Sequence, residues 1–154
     1  MPNTYTQLYI HYVFATKRRF RAFTETRQIE LYDYTAGLIA KLKCFVHRIG
    51  GTEDHMHVLL GLPPTLSVSE CAQKIKANTS RFINAQGWTP GQFSWQDGYG
   101  AFSVSHSSLE IVRTYIGNQA QHHTKQSFVE EFEALLSKHM VEYNRLYVFR
   151  EAEK

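Results

Sequence analysis

The chain has 154 residues, 43% of them apolar and 20% charged, which suits one domain with a real core and excludes disorder over most of its length. Four prolines and nine glycines are too few for a fibrous or linker-rich protein, and apolar runs such as Met56–Leu60 fall far short of the roughly 20 residues of a membrane span. The net charge of +3 divides into +5 over residues 1–48 (eight Lys/Arg against three acids) and −2 over residues 49–154 (nine against eleven). Such an imbalance bears on partners rather than on fold.

No basic stretch leads from the N-terminus into an apolar run, so no signal peptide is expected. Cys44 and Cys71 have neither metal-motif spacing nor the density of a secreted scaffold; both are expected to be reduced and buried, in a cytoplasmic setting.

In chain order, Gln7–Ala15 alternates as a strand, with Leu8, Ile10, Tyr12 and Phe14 on one face and Gln7, Tyr9, His11 and Val13 on the other. Lys17, Arg18, Arg19 and Arg21 then cluster around Phe20, a pattern that serves phosphate contacts with a stacked base or simply a solvated loop. Thr24 is placed to cap a helix reaching Leu42, with Ile29, Tyr32, Ala36 and Ile39 as its apolar stripe. Phe45–Ile49 and His55–Leu62 form an antiparallel hairpin about the turn 50–54, and Pro63-Pro64 ends it. Ser67 or Ser69 caps a helix to about Ala85, its stripe being Val68, Cys71, Ala72, Ile75, Thr79 and Phe82.

Beyond the loop Gly87–Gly100, a short strand is expected at Ala101–Ser105. Ser107 or Ser108 begins a helix to about His123, which leaves His122 and His123 facing solvent at its end. Ser127 begins another helix, with Glu130 and Glu131 in its dipole-favoured first turn. Tyr143–Phe149 reads as a short strand or an extended arm. The order predicts an α+β fold over residues 1–154: a ferredoxin-like or RRM-like antiparallel sheet with helices on one face, an open second face, and helices added at the C-terminus.

Two places carry chemistry. His55 and His57 flank Met56, so both imidazoles project from one face of their strand, as two metal ligands or as two unrelated polar residues. Asp54 either orients a ring or belongs to the turn. Tyr115 and Gln119 are four apart and stack on one helix face, where a tyrosine is commonly just a boundary residue.

Around these residues the chain resembles the single-tyrosine transposases of the His-hydrophobe-His superfamily, meaning the insertion-sequence enzymes that act on single strands and the REP-associated tyrosine transposases. The matching stretches are YIHYVFATKRR (9–19), GGTEDHMHVLLGLPP (50–64), SVSECAQKIKANTSRFIN (67–84), FSWQDGYGAFSVSHSS (93–108) and YIGNQAQHHTKQSFVEEFEALL (115–136). The resemblance implies that His55 and His57 hold one divalent cation, Mg²⁺ or Mn²⁺, that Gln119 adds its amide oxygen, and that Tyr115 is the nucleophile. It further implies a homodimer that cuts and rejoins single-stranded or hairpin DNA through a 5′-phosphotyrosine. Tyr9, His11, Lys17, Arg18, Arg19 and Arg21 are the candidate DNA contacts, with Lys74, Lys76 and Arg81 behind them. A domesticated relative that binds structured single strands without cutting them, and a small metal-dependent phosphodiesterase, are the rival readings.

Overall fold

A computed structural model describes residues 3–123 and 126–144. The alternation at the N-terminus becomes strand β1 (Tyr9–Ala15), followed by a tight turn at Lys17–Arg19 and helix α1 (Glu25–Lys41). Thr24 caps α1 by accepting from the Arg27 N–H, which satisfies one of the amides a helix start leaves unpaired. The buried stripe of α1 is Leu31, Thr35 and Ile39, one turn apart, whereas Ile29, expected on that stripe, is 64% exposed.

Strands β2 (Phe45–Gly51) and β3 (His55–Gly61) pair as the expected hairpin. Helix α2 (Val68–Gln86) starts at Ser67, whose hydroxyl accepts from Glu70 N–H, and stops at Gly87 in the left-handed conformation that glycine adopts without a Cβ penalty. Strand β4 (Gly100–Val104) completes an antiparallel sheet of order β2-β3-β1-β4. No helix among the described residues is long and apolar enough to cross a membrane.

Register decides what each face carries. The pairs Phe14–Met56, Tyr12–Val58 and Ile10–Leu60 put those side chains on one face, over which α1 and α2 build the main core with Leu31, Ile39, Cys71, Ile75 and Ile83. Trp95, from the loop after α2, enters this core and donates its indole N–H to Thr79, so its one polar atom is satisfied. Cys44 and Cys71 are both buried and free.

The opposite face shows Ala15, Val13 and His11 beside His55, His57 and Leu59. Here the structure departs from expectation, because this face is covered. Helix α3 (Leu109–Gly117) lies over β2 and β3, and α5 (Phe128–Lys138) seats Phe128, Phe132, Leu135 and Leu136 against Val13, Ala15 and Phe102. A second apolar cluster thus forms where an open ligand face was expected. The reason lies in α5, whose stripe is too apolar to leave in water.

Ser127 and Glu130 form a capping box that starts α5. The helix expected to run unbroken from Ser107 or Ser108 to His123 breaks at Asn118 (φ −104°, ψ 22°) into α3 and the short α4 (Gln119–His122). Of the expected tail strand, residues 145–149 lie outside the described residues, as does the side chain of His122.

Candidate active site

β3 delivers His55 and His57 side by side, both fully buried. Each ring is held from behind. His55 Nδ1 donates to Asp54 Oδ1 at 2.8 Å, and Thr52 Oγ1 lies 2.9 Å from the same nitrogen. His57 Nδ1 meets His11 Nε2 at 2.7 Å. Both Nε2 atoms therefore face inward, toward α3, α4 and α5.

Gln119, at the start of α4, donates its amide N–H to Glu131 Oε2 at 2.8 Å, which turns its oxygen toward His55. That oxygen lies 2.8 Å from His55 Nε2. Because Nδ1 already donates to Asp54, Nε2 of a neutral His55 carries a lone pair, so two acceptors face each other across this gap. A proton on Nε2 or a bound cation removes that conflict.

Glu131 closes the ring of donors. Its Oε1 lies 3.3 Å from His57 Nε2, 3.5 Å from His55 Nε2 and 3.0 Å from His123 Nε2. Its Oε2 accepts from Gln119 and from the Tyr115 hydroxyl. Burial opposes the carboxylate's charge, but hydrogen bonds from His123 and His57 and the neighbouring imidazoles outweigh it and hold Glu131 well below the usual carboxylate range. Tyr115 moves the other way, since burial first and the Glu131 charge second raise its phenol well above the ordinary value. Burial also lowers both His57 and His11, so both rings favour the neutral form that ligates or orients.

His55, His57 and Glu131 form a buried group able to hold a metal ion. Ligands about 2.0–2.1 Å from one small divalent cation stand about 3.0–3.4 Å apart. Among His55, His57, Gln119 and Glu131, the separation of 3.3 Å falls within that spacing, and those of 2.8 and 3.5 Å lie within about 0.2 Å of it. Imidazole with carboxylate and amide oxygens is a donor set for a borderline-to-hard divalent ion.

Gly50 makes this convergence possible. It pairs with His57 across the hairpin, and a Cβ there would stand 2.5 Å from the carbonyl oxygen of Ile116. The end of α3 consequently rests directly on the sheet, which brings the ring of Tyr115 to 5.9 Å from that of His57.

The family described as Transposase IS200 like matches residues 4–119. The chain belongs to this family. No curated protein matches the chain. Among solved structures, its fold is similar to that of a protein from Deinococcus radiodurans R1 described as a transposase, with 21% identity, 76% of this chain and 94% of that one covered, and a TM-score of 0.61. It is similar also to the REP-associated tyrosine transposase solved with a REP hairpin, with 15% identity, 79% and 72% coverage, and a TM-score of 0.59. At these identities the likeness is one of fold.

Within this IS200-like chain, the structure brings His55, His57, Tyr115 and Gln119 together. The last two reach the centre from separate helices rather than from one continuous face. His11 is 3% exposed and bonded to His57, so it stands behind that ring. Tyr9 is half-buried, edge-on to His47 at 5.1 Å. Lys17 and Arg18 are exposed, and Arg21 pairs with Glu53 at the surface. Arg19 instead folds inward, donating to Gln96 Oε1 and lying 4.4 Å over the Phe128 ring.

Two participants escaped sequence reasoning. His123, expected in solvent, packs its ring at a tilt 4.5 Å from that of His55 and bonds Glu131. Glu131, read as a helix-dipole residue, is the hub. Its signal was available: an acid sitting inside the stripe Phe128, Phe132, Leu135 and Leu136 must meet a partner when that stripe is buried.

Proposed function

We propose that this transposase cuts and rejoins single-stranded DNA at hairpin-containing ends through a covalent 5′-phosphotyrosine on Tyr115. The observation that carries the reading is that a phenol, two imidazoles, an amide oxygen and a carboxylate converge in one buried centre, inside a family of transposases. The fold neighbour solved with a REP hairpin supports hairpin DNA as the substrate. Exposed Lys17 and Arg18 supply phosphate contacts, and Tyr9 supplies a stacking ring.

In this reading His55, His57, Glu131 and Gln119 hold one divalent ion, Mg²⁺ or Mn²⁺. When bound, the ion polarises the phosphoryl oxygen and favours the phenolate over the phenol. The chain's own groups do the rest. Asp54 and His11 fix the two rings, and Oε2 of Glu131 receives the phenolic hydrogen and aims the oxygen. The Tyr115 oxygen attacks phosphorus, the P–O3′ bond breaks, and the 3′-oxygen leaves and takes up a proton. The new ester keeps the energy of the broken bond, so a second 3′-hydroxyl can reverse the step without ATP. These groups already converge within one chain, and the homodimer implied by the resemblance is part of the same proposal.

Incubation with Mn²⁺ and a single-stranded hairpin oligonucleotide is expected to give a protein–DNA band that survives denaturing electrophoresis. EDTA and Tyr115→Phe should each abolish it. Tight hairpin binding that persists in EDTA, with no covalent band under any metal, would establish the binding-only alternative.

A further inference from the structure

The proposed centre is closed on most sides: His55, His57, Gln119 and Glu131 are at most 1% exposed. Tyr115 is half-open, and it opens into a cleft of about 510 Å³ between β4, α3 and α5. The inner end of the cleft is Tyr115, His11 and Glu131. One wall is apolar, with Val112 and Ile111 of α3 opposite Leu135 of α5, and Ile111 is 68% exposed. The other wall is polar. Ser103, Ser105 and Ser108 line it, the hydroxyls of Ser105 and Ser108 being 3.1 Å apart, and Lys138 stands at its rim. His139 donates from Nδ1 to the Leu135 carbonyl, which leaves Nε2 as the ring's other polar atom.

A strand whose phosphorus reaches Tyr115 must place a neighbouring nucleotide somewhere within one nucleotide's reach. We infer that this cleft is the subsite for the nucleotide next to the scissile phosphate. Its base lies between the Ile111–Val112 and Leu135 walls, its edge faces the serines and His139, and a flanking phosphate meets Lys138. The volume lies within the roughly 300–1,000 Å³ of small-molecule sites, and the mixture of apolar walls with a few polar groups is what such sites show. The inference rests on the transposase reading above, and its test separates the two.

The probes are the four deoxynucleoside 5′-monophosphates, titrated into the ¹⁵N-labelled chain and followed by amide shifts. Shifts are expected at Ser103, Val112 and Leu135. Free nucleosides should move the same amides at higher concentration, and inorganic phosphate alone should not. Lys138→Ala should weaken the monophosphates but not the nucleosides. Val112→Trp, or Ile111→Trp at its already exposed position, should lower monophosphate affinity at least about tenfold, as the loss of one stacked base does. An oligonucleotide made abasic beside its cleavage point should form the covalent band correspondingly more slowly. Cleft amides that ignore the monophosphates, or respond equally to phosphate alone, overturn the subsite, as does a normal adduct rate in both tryptophan variants. Monophosphate binding in the cleft of a protein that forms no adduct keeps the subsite and removes the strand-transfer reading instead.

Discussion

Tyr115 donates its phenolic hydrogen to the carboxylate of Glu131, sixteen positions later on a different helix. The same carboxylate turns its other oxygen to His57, His55 and His123, so one side chain ties the nucleophile to the candidate ion site. Replacing it tests that link. Glu131→Gln keeps the shape and removes the charge, and Mn²⁺ affinity measured by calorimetry should fall at least about tenfold, the low end of what losing even an outer partner costs. Unchanged affinity would show that the carboxylate is no ligand.

His11 supports His57 from the side away from the centre, at 2.7 Å. Metal-ligating histidines depend on such a partner for tautomer and orientation. His11→Leu should therefore weaken Mn²⁺ binding by about 10–100-fold while far-ultraviolet circular dichroism stays native. Loss of DNA binding with metal affinity intact would instead return His11 to the role of a nucleic-acid contact.

Much of the frame was legible in the residues. Thr24 and Ser127 cap the helices expected of them, and of the two candidates Ser67 and Ser69 it is Ser67 that caps α2, because the preference of small hydroxyls for a helix start is a local effect. The period of two along β3 was enough to put His55 and His57 on one face. What local pattern could not show was the fate of that face. Helix α5 covers it because Phe128, Phe132, Leu135 and Leu136 need burial, and only tertiary packing specifies against what. Glu131 and His123 enter the centre by that same packing. The break at Asn118 had a local signal, since Gly117 and Asn118 are residue types that commonly end helices.

Two glycines give opposite predictions from their surroundings. A Cβ on Gly50 would meet the backbone of Ile116, 2.5 Å from its carbonyl oxygen, and backbone cannot step aside. Overpacking of this kind costs about 1–3 kcal/mol, so Gly50→Ala should lower Tm by roughly 2–12 °C and slow adduct formation by shifting α3. On Gly117 the Cβ would meet only the far end of the exposed Arg48 side chain. Gly117→Ala should leave Tm within the range of an ordinary surface change, under about 0.5 kcal/mol. Equal melting of the two variants would mean that the seat of α3 on Gly50 is not tight.

Cys44 and Cys71 are buried, and burial pushes the Cys44 thiol up to about 12 and raises Cys71. Thiolate is the reactive species, so neither should react with iodoacetamide in the native protein at pH 8, and both should react in denaturant. Rapid native labelling of either would contradict this packing of the main core.

Peptide mapping of the covalent product by tandem mass spectrometry tests the central claim most directly. After reaction with Mn²⁺ and hairpin DNA, then nuclease and protease digestion, the account predicts a nucleotide attached through its 5′-phosphate to the peptide containing Tyr115. A linkage at any other residue, or at a 3′-phosphate, would contradict it.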